Sequence, residues 1–212
     1  MKVKVNKNSF FIAACMTYIS CLLTSNVLAT KVFQFTSSVT LPSAVIIFPV
    51  VYILNDLMAE VYGYSKVKKV VFAGFALNLM VVIAQQIAIL LPSASFATET
   101  GEAFSTVLSS TPRMLVASLL AYIVGSLCNA KIMQFMKEKL EKYLMLRCIL
   151  STVVGEGLDA CIFITIAFVG TMPVGALLTM IVAQALFKTL FEVVLYPVTR
   201  IVIRKVKEIP EV

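Results

Sequence analysis

The 212 residues are 60% hydrophobic and only 14% charged, with a mean hydropathy of +0.97 and a net charge of +7. A soluble domain of this size carries about a quarter charged residues, so most of this apolar surface must be covered by lipid. The positive charge does not point to nucleic acid, because the lysines and arginines sit in short flanks between apolar runs rather than along one face.

Cysteine and histidine usage narrows the chemistry further. Cys15, Cys21, Cys128, Cys148 and Cys161 form no CxxC pair, and the chain has no histidine. Zinc, haem and iron–sulfur sites lack their usual ligands, so neither metal nor cofactor is expected. Without histidine there is no Ser-His or Cys-His nucleophile system either, which argues against an enzyme.

Taken in chain order, the N-terminus "MKVKVNKNSFFIAACMTYISCLL" has the basic start and apolar run of a signal peptide. Its apolar stretch runs on to about Ala29 with no A-x-A site before a polar domain, so it reads as a retained first span. A spanning helix needs about 20 apolar residues. That ruler gives six predicted spans, at about 9–29, 41–60, 68–91, 112–134, 148–170 and 173–200, in one transmembrane domain of all-α class. The last is long enough to tilt or to run past the interface. Only "PSASFATETGEAFSTVLSSTP" makes a long connection.

Basic residues set the orientation. Lys2, Lys4 and Lys7 precede span one, and Lys66, Lys68 and Lys69 follow span two. Lys131, Lys137, Lys139, Lys142 and Arg147 follow span four, and Arg200, Arg204, Lys205 and Lys207 follow span six. Lys31 and Arg113 alone fall on the other side, so both termini are predicted to be cytoplasmic.

Ionisable residues inside the spans carry the functional signal. Span two has Asp56 and Glu60, span five has Glu156 and Asp159, and span six has Lys188 and Glu192, each pair on one helix face. A charge at the centre of a lipid-facing helix costs roughly 2.5–3.5 kcal/mol on the most lenient scale, so these groups must face one another or a polar cavity. Glu156, Asp159 and Lys188 count to mid-membrane depth, Asp56 to the cytoplasmic half, and Glu60 to near the interface. Glu60 could serve the site or simply pair with the 66–69 lysines. Lys188 could pair within its own helix with Glu192, or reach across to Glu156 and Asp159; the second avoids leaving two acids unneutralised near the midplane. Two adjacent acids exceed what one lysine neutralises, and that excess asks for a ligand with donors, a cation or protons. Asn26 and Lys31 lie at the outer boundary of span one, and Asn78, Gln85 and Gln86 lie in span three. Gly155 and Gly157 allow close backbone approach, and Pro42, Pro49, Pro173 and Pro197 interrupt spans two and six. Phe48, Tyr52, Phe163, Phe187, Phe191 and Tyr196 could stack on a flat ring or merely pack.

Four segments in order, "SNVLATKVF", "PVVYILNDLMAEVYGYSKVKK", "LSTVVGEGLDACIFITIAFVG" and "KTLFEVVLYPVT", resemble the queuosine precursor transporter family, also called the vitamin uptake transporter family. The resemblance covers about residues 9–205. It implies a bacterial inner-membrane protein of six helices that imports queuine, 7-cyano-7-deazaguanine or 7-aminomethyl-7-deazaguanine for tRNA queuosine salvage. It also implies a bundle similar to the substrate-binding subunits of energy-coupling-factor transporters, working without the ATPase module. Action as such a subunit with ATPase partners is the alternative, and a homodimer stays open. The ligand chemistry agrees with the residues. A guanine-like base offers N1–H and N2 amino donors side by side, the complement of one carboxylate. Asn26, Asn55, Gln85 or Lys188 could donate to its acceptors, and the other carboxylates could hold the amine of an aminomethyl precursor. The expected substrate-binding set is Asn26, Asn55, Asp56, Glu60, Gln85, Glu156, Asp159, Phe163, Lys188 and Glu192.

Overall fold

The side chain of Asn6 accepts a hydrogen bond from the Ser9 amide at 2.7 Å and so starts the first helix, α1 (Lys7–Ala29). The computed structural model describes residues 6–139 and 144–209. After α1 come a β-hairpin of β1 (Val32–Thr36) and β2 (Val39–Pro42), a 3-10 turn (Ser43–Ile46), α2 (Phe48–Tyr62) and α3 (Tyr64–Leu90). Then follow α4 (Thr98–Leu108), α5 (Thr111–Lys139), α6 (Leu144–Phe168) and α7 (Val174–Lys207).

Among the described residues, four stretches are long and apolar enough to cross a membrane: Lys7–Ala29, Ser65–Leu90, Thr98–Gly125 and Val174–Lys207. The 15-residue α2 falls outside that group. At 1.5 Å per residue α2 is about 22 Å long, short of the roughly 30 Å hydrocarbon core, whereas α7 reaches about 51 Å.

The second predicted span therefore needs correction. Residues 41–60 are not one helix, and the chain is not purely α. The β-branched and proline-bounded stretch VTLP instead pairs antiparallel with VFQFT, Val32 opposite Pro42 and Phe33 opposite Leu41. The Ser43 amide donates to the Lys31 carbonyl at 2.8 Å and closes the base of the hairpin. Helix α2 begins only beyond it, with Pro49 in the first turn, where a missing N–H costs nothing. The long connection after α3 also contains a helix, α4, with Glu99 in its first turn.

Helices α2 and α3 are separated by Gly63, whose φ of 87° is open to glycine and strained for other residues. Helices α5 and α6 share the most extensive contact, and α7 packs on α6, α2 and β2. At one end of α6 the Arg113 side chain reaches across from α5, its Nε and Nη2 donating to the Ile166 and Val169 carbonyls at 2.5 Å each. That cation covers carbonyls that a helix C-terminus leaves unpaired.

Two apolar clusters fill the bundle. One, near the hairpin, is built from Ala29, Ala44, Met114, Ala117, Ala121, Ile164, Ala167 and Met180 with Phe163 and Phe168. The other, toward Gly63, gathers Tyr18, Leu57, Met58, Val67, Val71, Phe75 and Leu115. Alanines dominate the first, and small residues let helix backbones approach closely.

Candidate functional site

Between the two clusters lies a cavity of about 380 Å³, within the range of small-molecule sites. All the long helices wall it: Tyr18, Ser25 and Asn26 from α1, Phe48, Val51 and Asn55 from α2, Val67 and Phe75 from α3, and Ser118, Tyr122 and Gly125 from α5. Helix α6 contributes Gly155, Glu156, Asp159 and Phe163, and α7 contributes Gln184 and Lys188.

The charged part of the wall is a three-residue cluster. Glu156 and Asp159 are three apart on α6, and Lys188 comes from the facing side of α7. The Lys188 ammonium donates to Asp159 Oδ2 and lies 3.1 Å from Glu156 Oε2. It also sits 5.1 Å from the centre of the Phe48 ring, a cation–π distance. Lys188 is 4% exposed, whereas both acids retain 21%, so the carboxylates present a face to the cavity while the lysine is sealed behind them. Lys188 thus reaches across the bundle to both α6 acids; the Glu192 side chain lies outside the described residues. Two carboxylates against one ammonium are the charged groups lining the cavity among the described side chains.

Helix contact places Asp159. A methyl group at Gly125 would stand 3.1 Å from both the Asp159 Cβ and the Gly155 carbonyl, so only glycine lets α5 pass this close behind the acid. Asn26 is held by Ser118, whose Oγ donates to Asn26 Oδ1 at 2.9 Å and ties α1 to α5. The Asn26 amide nitrogen, the Asn55 carbonyl oxygen and both amide atoms of Gln184 are buried without a hydrogen-bond partner among the described residues. Each such atom costs about 1–3 kcal/mol in a folded protein, and all three residues belong to the cavity wall.

Six of the ten residues expected from sequence thus come together: Asn26, Asn55, Glu156, Asp159, Phe163 and Lys188. Glu60 does not line the cavity. It is exposed and meets Lys207 at 2.5 Å, since α2 ends beside the last turn of α7, and its partner is not one of the 66–69 lysines. Gln85 lies outside the cavity as well, on the α3 stretch whose neighbouring Gln86 donates to the Leu108 carbonyl at 3.1 Å. The side chains of Asp56 and Glu192 lie outside the described residues.

Sequence reasoning missed Gln184, Tyr18, Ser25, Ser118 and Tyr122. For Gln184 a signal existed: it precedes Lys188 by four residues and so shares its helix face. The hydroxyl residues gave none, because serines and tyrosines are common in apolar helices and only packing tells which ones face inward.

Comparison with known proteins adds a family. Residues 42–202 match the family described as "Putative vitamin uptake transporter". A Bacillus subtilis (strain 168) protein named "Probable queuosine precursor transporter" is 27% identical over 146 residues, 68% of this chain and 63% of the relative. The chain therefore covers slightly less than two thirds of that relative's length. No solved structure matches.

Proposed function

Since this chain belongs to the vitamin uptake transporter family, a family of multi-pass membrane proteins, we propose that it imports a queuosine precursor, a guanine-like 7-deazaguanine base, across a bacterial inner membrane. The observation that carries this reading is the cavity wall formed by Glu156 and Asp159, whose carboxylates are backed by a buried lysine yet open to the cavity. A carboxylate so placed accepts the paired N1–H and N2 amino donors of such a base in two parallel charge-assisted bonds. The second acid is then available to the amine of an aminomethyl precursor or to a proton. Phe48 and Phe163 offer apolar faces to the ring, and the unpartnered amide nitrogen of Asn26 is available to donate to its O6.

In this reading the chain makes six passes, the hairpin and α2 together forming the second, in a bundle like the substrate-binding subunits of energy-coupling-factor transporters. Both termini face the cytoplasm, in line with the lysines and arginines gathered at one end. A cysteine at Ser95, in a background without native cysteines, then reacts with an impermeant thiol reagent in whole cells. Labelling at Lys139 instead would reverse the orientation.

The deciding experiment is uptake by the purified chain in liposomes. Saturable accumulation of labelled 7-cyano-7-deazaguanine, queuine or 7-aminomethyl-7-deazaguanine, without any ATPase, is the expected result. Binding without uptake, with transport appearing only after ATPase subunits are added, would make the chain a binding subunit. Failure to bind all three bases would sink the reading.

A further inference from the structure

Buried positions in the first half of α7 follow one stripe: Leu177, Met180, Gln184 and Lys188. Their spacings of three and four residues keep them on a single helix face. Met180 belongs to the apolar cluster near the hairpin, and Lys188 holds the acids of α6. Gln184 stands where the stripe changes from apolar to ionic, and it lines the cavity. It is 0% exposed, and neither Oε1 nor Nε2 has a hydrogen-bond partner among the described residues. Buried polar groups in folded proteins are nearly always paired. A carboxamide at a cavity wall with both atoms unmatched is shaped for a partner that enters the cavity.

We propose that Gln184 is a specificity-determining residue that reads the N3/N9–H edge of the bound base and so selects free bases over N9-substituted ones. This rests on the reading of the ligand as a guanine-like base. In that ligand N1–H and the N2 amino group go to the carboxylates. The remaining polar features are O6, an acceptor alone, and the edge where N3 accepts beside N9–H, which donates. A carboxamide carries an acceptor oxygen and a donor nitrogen on one carbon. O6 would satisfy only its nitrogen. The N3/N9–H edge satisfies both atoms together, Nε2–H donating to N3 and N9–H donating to Oε1. A substituent on N9 removes that donor and puts carbon where the oxygen must approach, so nucleosides and N9-alkyl bases are refused.

The test compares 7-cyano-7-deazaguanine with its N9-methyl derivative by calorimetry on the purified full chain, alongside thermal unfolding without ligand. The wild-type chain should prefer the parent base by about tenfold or more, the worth of two neutral hydrogen bonds. Gln184→Met, unbranched and apolar, should lose about tenfold for the parent and bind both probes alike. Its unfolding temperature without ligand should match or exceed wild type, because it removes two unmatched polar atoms. Gln184→Glu, which keeps an acceptor for N9–H but turns a carboxylate oxygen toward N3, should show the same loss for the parent. Equal wild-type affinity for the two probes would overturn the assignment, as would full parent affinity in Gln184→Met. So would a Gln184→Met chain that is less stable and weaker for both probes by one common factor, the mark of a packing role. If the wild-type chain binds no parent base at all, the reading of the ligand fails first, and this inference fails with it.

Discussion

Among the described residues, α7 joins lysine to carboxylate at two places, and the two behave as different chemistry. Lys207 and Glu60 are 50% and 57% exposed, whereas Lys188 is 4% exposed against acids at 21%. An exposed pair gains little, about 0.2–1 kcal/mol, since water and salt screen it and two long side chains lose freedom. A buried cluster gains little net as well, but it cannot lose one member, because the remaining charges are left with no solvent to hold them. Burial does not make the second cluster a stronger glue. It makes it a set of charges in which each member depends on its partner.

The most severe way to break the contrast is Lys188→Met. Stranding Glu156 and Asp159 should destabilise the bundle by about 3–5 kcal/mol, seen as lost expression and lost uptake. Adding Asp159→Asn should restore folding more fully than uptake, because it removes the excess charge but also a substrate contact. Unchanged expression and uptake in Lys188→Met would show the lysine to be peripheral.

A step smaller, Glu156→Gln and Asp159→Asn keep shape and exchange an acceptor oxygen for a donor amide. Each should weaken base binding by about 1.5–3 kcal/mol, tenfold or more, measured by calorimetry on properly inserted protein. Wild-type affinity in both would remove the acids from the site. Next in size, Gly125→Ala presses a methyl against Asp159 and Gly155 and should cost about 1–3 kcal/mol of stability. It should weaken base binding too, since Asp159 has to shift; loss of stability with intact affinity would show that the acid's position is not set by this contact. The smallest effect belongs to the exposed pair. Glu60→Gln or Lys207→Met should change stability by no more than about 1 kcal/mol and leave uptake near wild type. A large loss of uptake there would erase the distinction between the two places.

Much of the ionic cluster was legible because its signals are periodic. Glu156 and Asp159 fall on one helix face by spacing, and the cost of two unneutralised acids in lipid called for a cation from another span. The hairpin was hidden by its hydropathy. "VTLPSAVIIFPV" is as apolar as a helical span, and a window average does not separate a strand turning on Pro42 from a helix starting at Phe48. The partner of Glu60 was hidden for a different reason: it is on α7, and no local pattern encodes a contact between residues 60 and 207. Gln184 was passed over because a neutral amide raises no charge penalty, although burial makes it nearly as demanding as an ion once both its atoms are unmatched.

The dependence of both the hairpin and the α6 acids on α7 sets an order on how the protein is made. Strand β2 packs on α7, and the cation for Glu156 and Asp159 is carried by α7, which leaves the ribosome after both of them. Until then α6 holds two carboxylates without their lysine, each costing roughly 2.5–3.5 kcal/mol to keep ionised at the middle of a bilayer. A nascent chain that has not reached residue 174 therefore has its α6 acids without their cation and its hairpin without a wall. The cavity does not exist in that chain. Helix α7 is thus at once a wall of the cavity and the carrier of the cation on which the α6 acids depend.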